Sequence, residues 1–433
     1  MRILFVAAGT SLHTVRWMNQ LDDQGWDLHL FPIEPFPLHP KLTGVTLHNV
    51  VFRRRPYDET DIARFDKLGR APKPQSGWER LFPPERFDPG LSQRGLPWPF
   101  RMGAKAIEDA LARQFPTRFT RAAALARVIR QVKPDIIHSL EINSAGAMTL
   151  AARQSAGAAF PPWIATNWGS DLYLHGKLAA TAPGIRAVLA ACDYYDAECQ
   201  RDIALARQMG FRGDYLPVLP NAGGLDLELA ATLRQPGPTS ARRLILVKGY
   251  QDWAGRALAA LQALELLADR LQGYRIALFL APQAVRIAAE LMSQRTGIPV
   301  DIIPWSDQAE ILRLHGQARV SIGVSISDGI PGSLLEAMAM GSFPVQSDTS
   351  CACEWISHGE TGILLAGEEP RVLAEAIAPA LTDDALVDAA AARNAEIVRT
   401  RVDARVIRPQ VVEIYQNLRR RKTGSAPAAD HRA

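Results

Sequence analysis

Residues 319–345 constrain the fold more than any other stretch of this chain. Arg319-Val-Ser-Ile-Gly-Val324 is a short apolar run of the kind that makes a buried parallel strand. It stops at a cluster of turn formers, Ser325-Ile-Ser-Asp328-Gly329-Ile-Pro331-Gly332-Ser333. The pattern then predicts a helix starting near Gly332 or Ser333. Ser333 with Glu336 three residues on reads as a Ser-x-x-Glu capping box, Leu334, Leu335 and Met338 supply apolar positions, and Gly341 ends the helix. Phe343-Pro-Val345 opens the next strand.

A helix that starts just past the carboxyl end of a parallel strand aims free N–H groups and a partial positive charge at the crevice where α/β proteins bind ligands. Anions suit that place, phosphate above all. Two carboxylates flank the loop, Asp328 before it and Glu336 after it, eight positions apart. Carboxylates repel phosphate but accept hydrogen bonds from vicinal hydroxyls. A ligand satisfying both has a negative centre with hydroxyl-bearing rings around it, which describes a nucleotide sugar. The same residues also admit a plainer reading, in which Glu336 only caps its helix and Asp328 only makes a turn.

The stretch from Asp328 to Glu336 resembles the E-x7-E element of retaining GT-B glycosyltransferases of family 4, the glycosyl transferases group 1 type, with Asp in place of the first Glu. Ser325 and the following Glu336-Ala-Met-Ala-Met-Gly-Ser-Phe-Pro-Val345 fit that pattern too. The resemblance implies that Glu336 holds a ribose diol and that Asp328, one methylene shorter than Glu, reaches the donor sugar. It also implies that Gly329, Pro331 and the amides of Gly332, Ser333 and Leu334 meet the diphosphate or the sugar.

At 433 residues with 47% hydrophobic composition, the chain can fill two α/β cores. A net charge of +4 argues against nucleic-acid binding, which needs a denser basic face. No run of 18 apolar residues occurs, and Arg2-Ile-Leu-Phe-Val-Ala-Ala8 is strand-length rather than a signal peptide, so a soluble cytoplasmic protein is expected. Cys192, Cys199, Cys351 and Cys353 suit a reducing compartment without a disulfide framework. Cys351-x-Cys353 lacks the spacing of a zinc knuckle, so the expectation is buried thiols and no metal.

In chain order, residues 2–8, 14–24 and 27–31 read as an opening βαβ unit. Gly9 before its helix is a second candidate anion site. The run Ser11-Leu-His13-Thr-Val-Arg16-Trp17 resembles a Ser-Ile-His-Thr-Arg-Arg-Trp pattern of the same enzymes, and His13 is read as cleft or acceptor-side lining. From about 51 to 105 the alternation breaks into a Pro-rich, Arg-rich stretch with interleaved aromatics. It suits either anionic lipid head groups or a lipid-linked acceptor, or else a solvated insertion. Polar groups gather at a strand end in Trp168-Gly-Ser-Asp171, where the resemblance implies His-Gly-Ser-Asp with its histidine beside the donor sugar, so Trp168 and Asp171 are read as donor-binding. Trp168 can stack on a sugar but cannot exchange protons near pH 7. Asp171 bonds a hydroxyl or caps the next segment.

Pro217-Val-Leu-Pro-Asn221-Ala-Gly-Gly224 resembles the family's interdomain hinge. Further on, Lys248 and Arg256 lie on a strand-to-helix loop suited to neutralising a diphosphate. Trp305 is a candidate for lining a base pocket. The expected architecture is α/β: a GT-B fold of two facing Rossmann-like, doubly wound domains. Its parts are an N-terminal domain (1–217), a linker (218–241), a nucleotide-sugar-binding domain (242–400), a C-terminal helix returning to the first domain (401–421) and a tail (422–433).

The expected activity is retaining transfer of a sugar from a nucleotide-diphosphate sugar to a glycan or lipid-linked acceptor, as in cell-surface polysaccharide synthesis. Lys248, Arg256 and Asp328 form the catalytic set, and no cofactor or metal is needed. Peripheral contact with the inner face of the membrane is a candidate, nucleic acid is not. Two alternatives stay open on sequence: a nucleotide-sugar epimerase on the same fold, and a non-catalytic nucleotide-sugar-binding protein.

Overall fold

A computed structural model describes residues 1–33, 39, 41–48, 92–93, 120–156, 160–221 and 223–422. The insertion expected at 51–105 lies outside the described residues except for Ser92–Gln93, and the tail from 423 onward lies outside them too. The chain divides into two compact units. One takes in Met1–Ala197, Ile203–Gly223 and Pro409–Ala433, the other Glu198–Asp202 and Gly224–Arg408.

Among the described residues, the first unit is built on a parallel sheet of eight strands: β1 (Arg2–Ala7), β2 (Asp27–Pro32), β3 (Thr46–Leu47), β4 (Ser92–Gln93), β5 (Ile136–Leu140), β6 (Trp163–Thr166), β7 (Tyr194–Asp196) and β8 (Asp214–Tyr215). They stand in the order β4-β3-β2-β1-β5-β6-β7-β8. Every side chain of β1 from Ile3 to Ala7 is fully buried. Helices cover both faces of such a sheet, so its central strand reads as an unbroken apolar run rather than an alternating one.

The second unit carries six parallel strands: β9 (Leu244–Lys248), β10 (Arg275–Phe279), β11 (Val300–Ile302), β12 (Ala318–Gly323), β13 (Phe343–Ser347) and β14 (Ile363–Leu365). Their order, β11-β10-β9-β12-β13-β14, is that of a dinucleotide-binding sheet. The chain direction across the sheet reverses between β9 and β12, which pair directly with Val247 opposite Ile322. Crevices form at the carboxyl ends of the strands at such a reversal, which makes the residues following Lys248 and Gly323 the candidate place for a ligand.

Several elements went unread in the sequence. The helix Ala182–Ala191 starts Ala-Pro-Gly, which looks like a turn, but proline in a first helical turn loses no hydrogen bond. The expected linker contains the helix Leu227–Leu233, capped by Asp226, whose carboxylate accepts from the Leu229 amide. The last helix, by contrast, was expected over 401–421 and spans Ala404–Lys422, with its part from Pro409 onward grouped with the first unit. Tyr415 on that part is fully buried. Its hydroxyl accepts from Trp17 Nε1 at 2.8 Å and lies 2.6 Å from His138 Nδ1. No helix among the described residues is long and apolar enough to cross a membrane.

Candidate active site

The loops leaving β9 and β12 are bonded to each other. The Arg256 amide donates to the Val324 carbonyl and the Ile326 amide to the Ala254 carbonyl, each at 2.9 Å. Gly255 sits at the tightest point: a Cβ there would lie 2.1 Å from the Tyr250 carbonyl oxygen, so only glycine lets the loop fold back. This junction places Lys248 Nζ 3.4 Å from Asp328 Oδ2. The other Asp328 oxygen accepts from the Gly329 amide at 2.9 Å. Burial, with the negative charges of Asp252 and Asp328, raises the Tyr250 phenol above its ordinary pKa.

Arg256 meets a different carboxylate. Its Nε is 2.6 Å from Glu368 Oε2, and its Nη1 donates to the Gly255 carbonyl at 2.8 Å. Both cations expected to face a diphosphate therefore rest on acids, Lys248 on Asp328 and Arg256 on Glu368. Both pairs are partly exposed. Such pairs are worth about 0–1 kcal/mol each, so an incoming dianion can displace either carboxylate at little cost.

The helix after the loop spans Gly332–Met340, and Gly341 ends it in the left-handed region at φ 73°. Its N-terminus corrects the expected capping box. Pro331 is the N-cap and makes no side-chain cap, so Ser333 falls inside the first turn. The proline ring presets the entry, and the helix starts two residues too early for Ser333 to cap it. Glu336 turns elsewhere: it is 8% exposed, and its Oε1 accepts from Gln308 Nε2 at 3.2 Å. The Leu334 amide already donates to the Pro331 carbonyl at 2.9 Å, and its side chain is in the core. The amides of Gly332 and Ser333, ahead of that first bond, are the ones the helix end offers to an anion.

In the first unit the structure brings His13 and Trp168 together, with ring centroids 5.7 Å apart. His13 lies in the helix Leu12–Asn19, capped by Ser11, on the loop after β1. Gly9, on the same loop, is buried and accepts from the His39 amide through its carbonyl at 2.8 Å. Asp171 is 4% exposed and has both oxygens engaged. Oδ2 accepts from the amides of Ile142 and Trp168, and Oδ1 from Asn143 Nδ2. Burial, and next the charge of Glu141, push its pKa well above the carboxylate range.

Residues 244–397 match the family described as Glycosyl transferases group 1, and residues 99–194 match the family described as Glycosyl transferase 4-like. The chain is a group 1 glycosyltransferase. Solved structures similar to it share its GT-B fold. The α,α-trehalose 6-phosphate synthase of Burkholderia multivorans is 14% identical with a TM-score of 0.65, over 98% of this chain and 100% of that one. Anabaena HepE in complex with UDP-glucose is 15% identical with a TM-score of 0.62, over 96% and 100%. The sucrose-phosphate synthase of Thermosynechococcus elongatus is 17% identical with a TM-score of 0.61, over 96% and 99%. No curated protein matches the chain.

The cysteines of this glycosyltransferase depart from the sequence expectation. Cys199 and Cys351 form a disulfide with Cα atoms 6.3 Å apart, while Cys192 is a buried free thiol and Cys353 an exposed one. The expectation of four free thiols failed because 152 residues separate the partners and nothing local marks them as neighbours. The two sulfurs and an Asp202 carboxylate oxygen lie within 4.8 Å of one another. Bonded to each other, the sulfurs offer no thiolate to a metal. Burial pushes the Cys192 thiol up to about 12, which makes it inert.

Sequence reasoning also missed Gln308, which orients Glu336, and Glu368, which holds Arg256. Gln308 opens a helix capped by Asp307, a local signal that was readable, but its reach to Glu336 was not. Trp305 is 42% exposed.

Proposed function

We propose that this glycosyltransferase moves a sugar from a nucleotide-diphosphate sugar to a hydroxyl of a glycan or lipid-linked acceptor, with retention at the anomeric carbon. The observation that carries the reading is the placement of Lys248, Asp328 and the Gly332–Met340 helix end on one sheet reversal. Cation, hydroxyl acceptor and anion-binding amides converge there, as a diphosphate bearing two polyol rings requires. The binding of UDP-glucose by Anabaena HepE supports the same choice of donor.

In this reading Lys248, Arg256 and the amides of Gly332 and Ser333 take up the charge that grows on the leaving diphosphate, which lowers the barrier to cleavage. Glu336, oriented by Gln308, accepts hydrogen bonds from the ribose diol, and Asp328 accepts from the donor sugar once Lys248 has moved to phosphate. The anomeric C–O bond to phosphate breaks, the acceptor oxygen bonds the same carbon on the same face, and the acceptor's proton passes to the departing phosphate oxygen. No nucleophile, metal or cofactor is assigned. His13 lines the acceptor side, and Trp168 beside it offers the donor sugar a stacking face rather than a base. A cytoplasmic location, peripheral to the membrane where the acceptor is lipid-linked, and a role in surface polysaccharide synthesis complete the proposal.

Incubation of the purified chain with a panel of nucleotide sugars, read by NMR, tests it. The expected result is slow donor hydrolysis or transfer that keeps the anomeric configuration. Isomerised donor without transfer would replace it with epimerase chemistry, and tight binding without turnover with a binding role.

A further inference from the structure

Three consecutive residues of the loop that carries Asp328 are each held by a partner. Arg201 Nη2 donates to the Asp328 carbonyl at 3.0 Å. The Cys351 amide donates to the Gly329 carbonyl at 2.9 Å, and the Ile330 amide donates to Glu198 Oε1 at 3.0 Å. Two of these partners come from one short segment, Glu198–Asp202, and the third is joined to that segment by the Cys199–Cys351 bond. The segment is itself fixed. Arg201 Nη1 donates to the Thr349 carbonyl at 2.9 Å and its Nε to Asp202 at 2.8 Å, while the amides of Gln200 and Arg201 donate to the two oxygens of Glu354 at 3.0 Å.

We infer that Glu198–Asp202 is the positioning element of the donor loop, and that the Cys199–Cys351 bond ties donor use to the thiol redox state of the protein. The inference rests on the reading of the Asp328 loop as part of the donor site. The loop has no ladder of its own between Ser327 and Pro331, so its course is set by what grips its backbone. Arg201 does this with all three guanidinium nitrogens engaged, a rigid fork that fixes two carbonyls from different loops at once. Both cysteines are fully buried, which shields the bond from reductant until the segment opens. A dithiol then reduces it in balance. The sulfur–sulfur bond breaks, two electrons and two protons pass to the sulfurs of Cys199 and Cys351, and the dithiol closes into its own cyclic disulfide. The hydrogen bonds alone then hold the loop, which moves more, and Asp328 moves with it.

The test uses the full chain, oxidised and after dithiothreitol, with thiols counted under denaturing conditions. Backbone hydrogen exchange is followed at residues 329–333, and donor KM and kcat are measured in each state. Reduction is expected to expose two further thiols, speed exchange in the loop and raise donor KM about three- to tenfold with kcat changed far less. Reoxidation should reverse all of these. Cys199→Ser combined with Cys351→Ser should behave as reduced in either buffer. In the oxidised protein, Arg201→Ala should raise donor KM and Arg201→Lys should recover part of the loss. Unchanged exchange and KM on verified reduction, or four titrating thiols before any reductant is added, would overturn the inference while leaving the donor site standing. Faster loop exchange on reduction in a protein that binds no nucleotide sugar would instead overturn the donor reading, and with it the link to donor use.

Discussion

The ammonium of Lys248 lies 3.4 Å from Oδ2 of Asp328, joining residues 80 positions apart that leave neighbouring strands, β9 and β12. In the proposed site this pair is a resting arrangement. The lysine has a stronger partner in a diphosphate, and the aspartate, once released, has sugar hydroxyls to accept from. Lys248→Ala and Glu336→Ala should each weaken binding of a nucleoside diphosphate about tenfold or more. Exposed pairs contribute little to folding, so melting without ligand should shift by only about 2 °C for Lys248→Ala. Thermal-shift titration checks both, and ligand-induced shifts equal to those of the unaltered protein would refute the assignment.

Glu368 competes for Arg256. Replacing it with Gln removes the competing charge but keeps the shape, and the expected outcome is diphosphate affinity raised about two- to fivefold at low salt, with the gain fading as salt is added. Calorimetric titration at two ionic strengths reads this directly.

Gly255→Ala should destabilise the chain by about 1–3 kcal/mol, because the added methyl must displace the Tyr250 carbonyl, which is backbone and yields little. Urea denaturation checks it. Gly332→Ala, where an added Cβ meets open space, is the control.

A buried polar chain runs from Trp17 through Tyr415, His138 and Thr166 to Asp196, where Thr166 donates to Asp196 Oδ2 at 2.8 Å and Asp196 Oδ1 has no partner among the described residues. Burial raises the Asp196 carboxyl to about 7 and lowers His138 to about 3. The two have opposite signs. Asp196 is held protonated in the folded chain, so its contribution is fully present below about pH 4 and is lost as pH rises toward 7. His138 is held neutral, so its contribution is present above about pH 6.5 and is lost as pH falls toward 3. Asp196→Asn should therefore remove the falling contribution between pH 4 and 7 and leave the rising one of His138, so that stability climbs more steeply with pH over this span than in the unaltered chain. Melting temperature followed from pH 3 to 8 checks it, and an unchanged profile would show that Asp196 does not titrate in this range.

The sequence by itself determined what depends on near neighbours. A buried parallel strand must be apolar along its length, which made β1, β9 and β12 readable. A left-handed helix end favours glycine, and Gly341 marked one. The spacing of Asp328 and Glu336 around a strand-to-helix loop, with the resemblance it carried, was enough to expect the family that the comparisons show. Where two local rules competed, the sequence could not choose: Ser333 satisfied the capping-box pattern, yet Pro331 set the start of the helix.

Tertiary structure decided the partners. That Lys248 rests on Asp328, Arg256 on Glu368 and Glu336 against Gln308, and that Cys199 joins Cys351, depends on which strands lie side by side and which loops are thereby brought into reach. Local preference extends over a few residues along the chain, whereas these contacts span 28 to 152 positions. They form because burying the apolar sheet of the second unit fixes the ends of its strands, and with them the side chains those ends carry.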